Sequence, residues 1–181
     1  MKLLLLASGT GSLAHTIIDA GFDIAAVVSD VSGAQVIDRA KLANIPSKVI
    51  EFKTPRENWD QELIKFVSTV NPDLVVSVGF MRILSPEFVS KFKVINSHPA
   101  LLPKFPGAHA VRDALAARAA QTGCTVHWVD SGIDTGEVIA QVTVDVLPND
   151  DESSLHERIK IVERQLIVKT IKSLESQIER S

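Results

Sequence analysis

Short apolar runs alternate with stretches of helical period through the first half of the chain. The runs Lys2–Ala7, Asp23–Val28, Ser47–Glu51, Asp73–Val78 and Lys93–Asn96 are rich in Val, Ile and Leu, as strands covered on both faces are. Between them, Ala14–Ala20, Ala34–Ala43 and the segment 54–70 read as helices. This alternation predicts βαβ units: an α/β fold with a mostly parallel twisted sheet and helices on both faces. Helix starts are marked by Thr54 as N-cap with Pro55 at the first helical position and Glu57 closing a capping box, and again by Ser85 and Pro86. Further on, His109–Ala120 reads as a helix and Thr125–Val129 and Val138–Val146 as strands that pair antiparallel. Ser154–Ile178 reads as a long terminal helix opened by a second capping box, "SLHE". With no repeat, low-complexity tract or linker, residues 1–181 are expected to form one domain.

Composition narrows the partners. The net charge is −3, from 19 basic and 22 acidic side chains, and no basic block stands out, so a nucleic-acid partner is not expected. The single cysteine, Cys124, forms no internal disulfide and reads as a small core residue, which fits a reducing cytoplasm. "MKLLLLAS" has too short an apolar run for a secretory signal, whose core needs roughly 7–15 residues, and reads as a strand. No run approaches the roughly 20 apolar residues that cross a bilayer. His15, His98, His109, His127 and His156 are dispersed without metal-ligand spacing, so no metal is expected; His109 follows the proline segment and His127 sits on a following strand, which can bring both near the pocket, but they read as structural.

Three places on the chain can carry chemistry. The first is "LLLLASGTGSLAHTII", a strand, a loop with Gly9 and Gly11, and a helix. Backbone N–H groups at such a helix start favour an anion. The spacing lacks both the dinucleotide and the P-loop pattern, so a small phosphorylated ligand fits better. The second is "VINSHPALLPKFPGAHAV", where a strand ends on Asn96 and His98. Residues spaced i, i+2 on an extended chain share a side, the amide can donate to a developing oxyanion, and the imidazole can exchange a proton near neutral pH. Pro99, Pro103 and Pro106 stiffen the exit. The third is "WVDSGIDTGEVI", a glycine-bracketed loop carrying Asp130 and Asp134. A carboxylate there can orient the imidazole, or the two aspartates can merely build turns.

Taken together, "SGTGS", "GFMRILSPEFV", "INSHPALLPKFPGAH" and "DTGEVIAQ" resemble the phosphoribosylglycinamide formyltransferase family, folate-dependent enzymes of purine synthesis. The resemblance spans nearly the whole chain and implies a Rossmann-like formyltransferase fold with an antiparallel C-terminal portion. It also implies that the chain transfers a formyl group from 10-formyltetrahydrofolate, the co-substrate, to glycinamide ribonucleotide. By position, Asn96, His98 and Asp134 match the family's catalytic trio. Met81, Arg82, Ile83 and Leu84 match the segment that holds the pterin, with Arg56, Asn96, Asp130 and Asp134 also on the folate side. Gly11, Ser12 and Leu13 match the phosphate loop for the ribonucleotide, and Glu163 matches an acidic contact to the same substrate. Small-molecule partners are implied, with a monomer or weak homodimer expected.

The chain departs from the family pattern in places. Leu13 stands where asparagine is frequent, leaving only a backbone N–H there, and Ser97 replaces an apolar residue between Asn96 and His98. Relatives often continue into further strands beyond the last helix; their absence is expected to loosen one edge more than the site. Two relatives share the chemistry. A methionyl-tRNA formyltransferase would require a basic tRNA-binding extension, and a formyltetrahydrofolate hydrolase an extra N-terminal regulatory domain, whereas the first strand here starts at residue 2. A non-catalytic phosphoribosyl binder using only the glycine loop is the alternative from another class.

Overall fold

The computed structural model describes residues 1–178. The chain divides into two compact units, Met1–Ile95 and the residues from Asn96 onward. The first contains β1 (Leu3–Leu6), α1 (Ser12–Asp19), β2 (Ile24–Ser29), α2 (Gln35–Leu42), β3 (Ser47–Val49), α3 (Arg56–Val70), β4 (Leu74–Ser77) and α4 (Pro86–Lys91). Its strands run in the order β3-β2-β1-β4, all parallel. β5 (Val94–His98) starts beside β4, where Val75 N–H donates to the Lys93 carbonyl. Leu3, Leu4, Leu5 and Leu6 are fully buried, as a central strand flanked on both sides requires. Each such leucine contributes roughly 1.5–3 kcal/mol over an exposed one.

The second unit holds the end of β5, α5 (Ala110–Ala116), β6 (Gln121–Trp128), β7 (Val138–Asp145) and α6 (Glu152–Ile178). β6 and β7 pair antiparallel from Gln121 opposite Asp145 to His127 opposite Val138. The α/β class, the parallel strands and the antiparallel C-terminal portion therefore follow the expectation.

Several boundaries differ from it for local reasons. β6 begins at Gln121 rather than Thr125, because Thr122 and Gly123 are buried strand residues that a hydrophobic pattern overlooks. Gly123 allows β7 to approach there: a Cβ on it would lie 2.0 Å from the Val142 carbonyl oxygen. α5 stops at Ala116, short of Ala120, since Arg118 turns into the left-handed region at φ 49°. β5 runs on to His98 instead of stopping at Asn96.

Two capping assignments also move. α3 starts at Arg56 after Pro55, with no side-chain cap, so Thr54 does not cap it and Glu57 is one position too early to close a box. α6 starts ahead of "SLHE": the Ser154 amide donates to Asp151 Oδ1 at 2.7 Å and the Asp151 amide to Ser154 Oγ at 3.1 Å. The reciprocal box thus joins Asp151 and Ser154. At α4 the expected cap forms, with Ser85 Oγ accepting from the Phe88 amide and Pro86 in the first turn.

Gly11 fixes the turn from β1 into α1. Its φ is 66°, and a Cβ would fall 2.4 Å from Val36 Cγ2 on α2. Gly11→Ala is expected to cost about 1–3 kcal/mol in urea denaturation, with part of the cost shown by a double-mutant cycle with Val36→Ala to be coupled to that contact.

Candidate active site

The last residues of β5 point alternately to its two sides, as a pleated strand demands. Asn96 and His98 share one side and Ser97 faces the other. His98 is 4% exposed, and both its ring nitrogens face acceptors: Nε2 lies 2.8 Å from the Phe105 carbonyl oxygen and Nδ1 lies 3.4 Å from Asp134 Oδ2. A carbonyl only accepts, so Nε2 carries a hydrogen; the fully protonated ring satisfies both neighbours.

Asp134 arrives from the loop between β6 and β7. It occupies the left-handed region at φ 54°, a conformation that aspartate tolerates better than most residues and one that recurs at functional sites. Gly136 lets that loop turn back on β6, since a Cβ there would sit 1.7 Å from the Trp128 carbonyl oxygen. The carboxylate accepts from the Gly107 amide at 2.8 Å through Oδ2, while Oδ1 lies 3.5 Å from His127 Nε2. Burial alone would raise the Asp134 pKa, but the His127 ring, the Gly107 amide and the charges of His98 and His127 together hold it below the ordinary value.

His127, read as structural from sequence, is the member of this cluster that the sequence reading missed. It is 2% exposed on β6; its Nδ1 donates to the Trp128 carbonyl at 2.8 Å, and its Nε2 lies 3.3 Å from Asn96 Nδ2. The Asn96 amide nitrogen thus stands beside the ring nitrogen that also faces Asp134. No local pattern in the sequence marks His127; only its tertiary neighbours place it beside Asn96 and Asp134. Among the described residues no group of His, Cys, Asp and Glu is spaced to hold a metal ion.

Glu163 lies across β5 from that cluster. On α6, it accepts from Ser97 Oγ at 2.7 Å, and Ser97 Oγ is also 3.4 Å from Cys124 Sγ. Burial pushes the Glu163 carboxyl above its usual range, against the opposing pull of the Ser97 bond and of Lys160 and Arg164. Burial likewise pushes the Cys124 thiol up to about 12, helped by the nearby Glu163 charge, so Cys124 is the inert core residue expected. Asp130 builds a turn: its Oδ1 accepts from the Gly132 amide at 2.9 Å and from Thr135 Oγ1 at 2.7 Å.

In the first unit, Gly11 precedes α1 and Ser12 opens it, while the Leu13 side chain is buried with Ala14 and Ile17. Leu13 can therefore offer a ligand only its backbone. Met81 and Ile83 are 62% and 52% exposed and are not core, whereas Leu84 is buried. Arg56 bonds the Ile83 carbonyl through Nη2 and Asp60 through Nε, and Arg82 Nε bonds Asp30 Oδ2 at 2.6 Å.

The formyl transferase family model matches residues 1–171. The chain belongs to that family. Among curated formyl transferase relatives, "Phosphoribosylglycinamide formyltransferase" of Mycobacterium tuberculosis is 46% identical over 181 residues, which is 96% of this chain and 84% of that protein. The "Trifunctional purine biosynthetic protein adenosine-3" of Drosophila melanogaster is 43% identical over 170 residues, 87% of this chain and 13% of that protein. Among solved structures, the phosphoribosylglycinamide formyltransferase from Streptococcus pneumoniae TIGR4 superposes with TM-score 0.91 at 37% identity, covering 96% of this chain and 98% of that one. The phosphoribosylglycinamide formyltransferase from Bacillus halodurans superposes with TM-score 0.93 at 32% identity, covering 98% of this chain and 97% of that one. Within this formyl transferase, Ser97 gives Glu163 a hydroxyl partner of its own.

A carboxyl with a raised folded-state pKa favours folding while protonated and opposes it once ionised. Relative to Glu163→Gln, the stability contributed by Glu163 is therefore full below about pH 4, the unfolded value, and is lost as pH rises through the raised value. Urea denaturation of both proteins across pH checks this; a wild-type advantage that grew with pH would contradict it.

Proposed function

We propose that the protein transfers the formyl group of 10-formyltetrahydrofolate to the amine of glycinamide ribonucleotide, a step of purine synthesis. The reaction class is carried by one observation: a half-buried carboxylate, Asp134, lies between two buried imidazoles, 3.4 Å from His98 and 3.5 Å from His127, with the Asn96 amide against the second ring. The substrates are inferred from the names of the relatives. The reduced, buried Cys124 suits a cytoplasmic setting.

The reacting centre is a formyl carbon. The neutral amine of the ribonucleotide attacks it, a C–N bond forms, and the carbonyl oxygen becomes an oxyanion. An amide hydrogen of Asn96 and a proton of the His98 imidazolium stabilise that oxygen. For this His98 turns a hydrogen from the Phe105 carbonyl to the oxyanion, while Asp134 balances the ring's charge. A proton then passes, through water, from the attacking amine to N10 of the folate. The C–N10 bond breaks, and tetrahydrofolate leaves with formylated glycinamide ribonucleotide. The loop Gly11–Leu13 holds the substrate phosphate by backbone N–H groups at the start of α1. Met81–Leu84, with Arg56 behind Ile83, takes the pterin, and Glu163 the ribonucleotide.

Measuring tetrahydrofolate release with and without glycinamide ribonucleotide separates the readings. Release that requires the amine supports transfer; release without it supports a hydrolase, and silence with phosphate binding intact supports a non-catalytic binder. Asn96→Ala is expected to lower turnover roughly 10²–10³-fold, the cost of one oxyanion donor; turnover near wild type would remove Asn96 from that role.

A further inference from the structure

Asp30 follows β2 directly, and its side chain is 1% exposed. A buried carboxylate is costly unless both its oxygens are engaged. Here both are. Oδ1 accepts from Ser8 Oγ at 2.5 Å, and Oδ2 accepts from Arg82 Nε at 2.6 Å. Ser8 is the residue that opens the glycine loop, and its hydroxyl oxygen in turn accepts the Met81 amide at 2.8 Å. A further bond, from the Ser8 amide to the Gly79 carbonyl at 3.0 Å, ties the two chain segments together.

The Arg82 guanidinium is fixed from a second direction, 4.3 Å above the Phe52 ring. Phe52 is itself tethered to the same residue, since its amide donates to the Asp30 carbonyl at 3.3 Å. Phe52 meets Trp59 edge-on at 5.3 Å, and Trp59 stacks on Phe80 at 6.2 Å. The exposed segment from Met81 onward is thus clamped at its root by an aromatic stack, a hydrogen bond from the Met81 amide to Ser8 Oγ and the Arg82 pair. Two of these three restraints run through the Asp30 carboxylate.

We infer that Asp30 is a positioning residue that holds the glycine loop and the Met81–Leu84 segment in one arrangement, its charge setting the affinity of the Met81–Leu84 segment through Arg82 and its other oxygen that of the glycine loop through Ser8. This rests on the ligands assigned to them under the proposed function. Asp30 touches neither ligand in this account; it acts through Ser8 and Arg82. The two contacts are separable. An amide oxygen can still accept from Ser8, but a neutral side chain no longer neutralises Arg82.

Asp30→Asn is therefore expected to raise the tetrahydrofolate Kd in calorimetric titration, and the KM for 10-formyltetrahydrofolate, about tenfold or more. The KM for the ribonucleotide and kcat should stay within about threefold, by the same conversion. Asp30→Ala, which loses both contacts, is expected to raise both KM values. Ser8→Ala keeps the Asp30–Arg82 pair, removes the acceptor of the Met81 amide, and is expected to weaken tetrahydrofolate binding as well; it serves if the Asp30 variants do not fold. Variants that fold and bind tetrahydrofolate within about twofold of wild type would overturn the inference and leave the functional reading standing. A wild-type chain that bound no tetrahydrofolate would overturn both.

Discussion

The Asp134 carboxylate is the interaction on which the second unit's chemistry depends. It brings negative charge into a buried place where both neighbouring imidazoles are almost fully enclosed, and such a charge persists only if several donors share it. The Gly107 amide supplies one donor and the two rings the others. Each partner comes from a separate stretch: His98 ends β5, Gly107 follows Pro106, and His127 sits on β6. A single carboxylate thus fixes the relative positions of three backbone segments, and it can do so only with its own backbone in the left-handed region.

β5 serves two sides at once. Asn96 and His98 face the carboxylate cluster, and Ser97 between them reaches Glu163 on α6. Strand alternation puts the reacting groups and the Glu163 carboxyl on opposite sides of the strand. The strand's exit is then shaped by Pro99, Pro103 and Pro106, and within that segment Phe105, also in the left-handed region, presents its carbonyl to His98. In the first unit a comparable economy appears at Asp30, which serves two segments that follow different strands.

The strands were legible wherever burial was apolar on both faces. The four leucines of β1 and the Val-rich β2 and β4 could be read as strands directly, and so could the antiparallel end. The first half of β6 was not, because Thr122 and Gly123 are buried, Gly123 by the close approach of β7, which hydropathy does not register. Helix starts at Thr54 and Ser154 were misjudged because a capping box is a pattern of three spacings that neighbouring Asp, Ser and Thr can satisfy in more than one register, and Asp151 won at α6. Asn96, His98 and Asp134 could be named from motifs, and the second unit brings them together. His127, Ser97 with Glu163, and Asp30 acquire meaning only from tertiary neighbours, so their pairings had no local signal.

The central claim is that Asp134 is a shared, ionised partner of two imidazoles. Carboxyl carbon-13 NMR titration of Asp134 tests it most directly. In the wild-type protein the resonance is expected to titrate below the ordinary aspartate value of about 3.9, and to move upward in His98→Asn and in His127→Asn, since each ring lowers it. A wild-type Asp134 titrating at or above that ordinary value, unmoved by loss of either ring, would contradict the account.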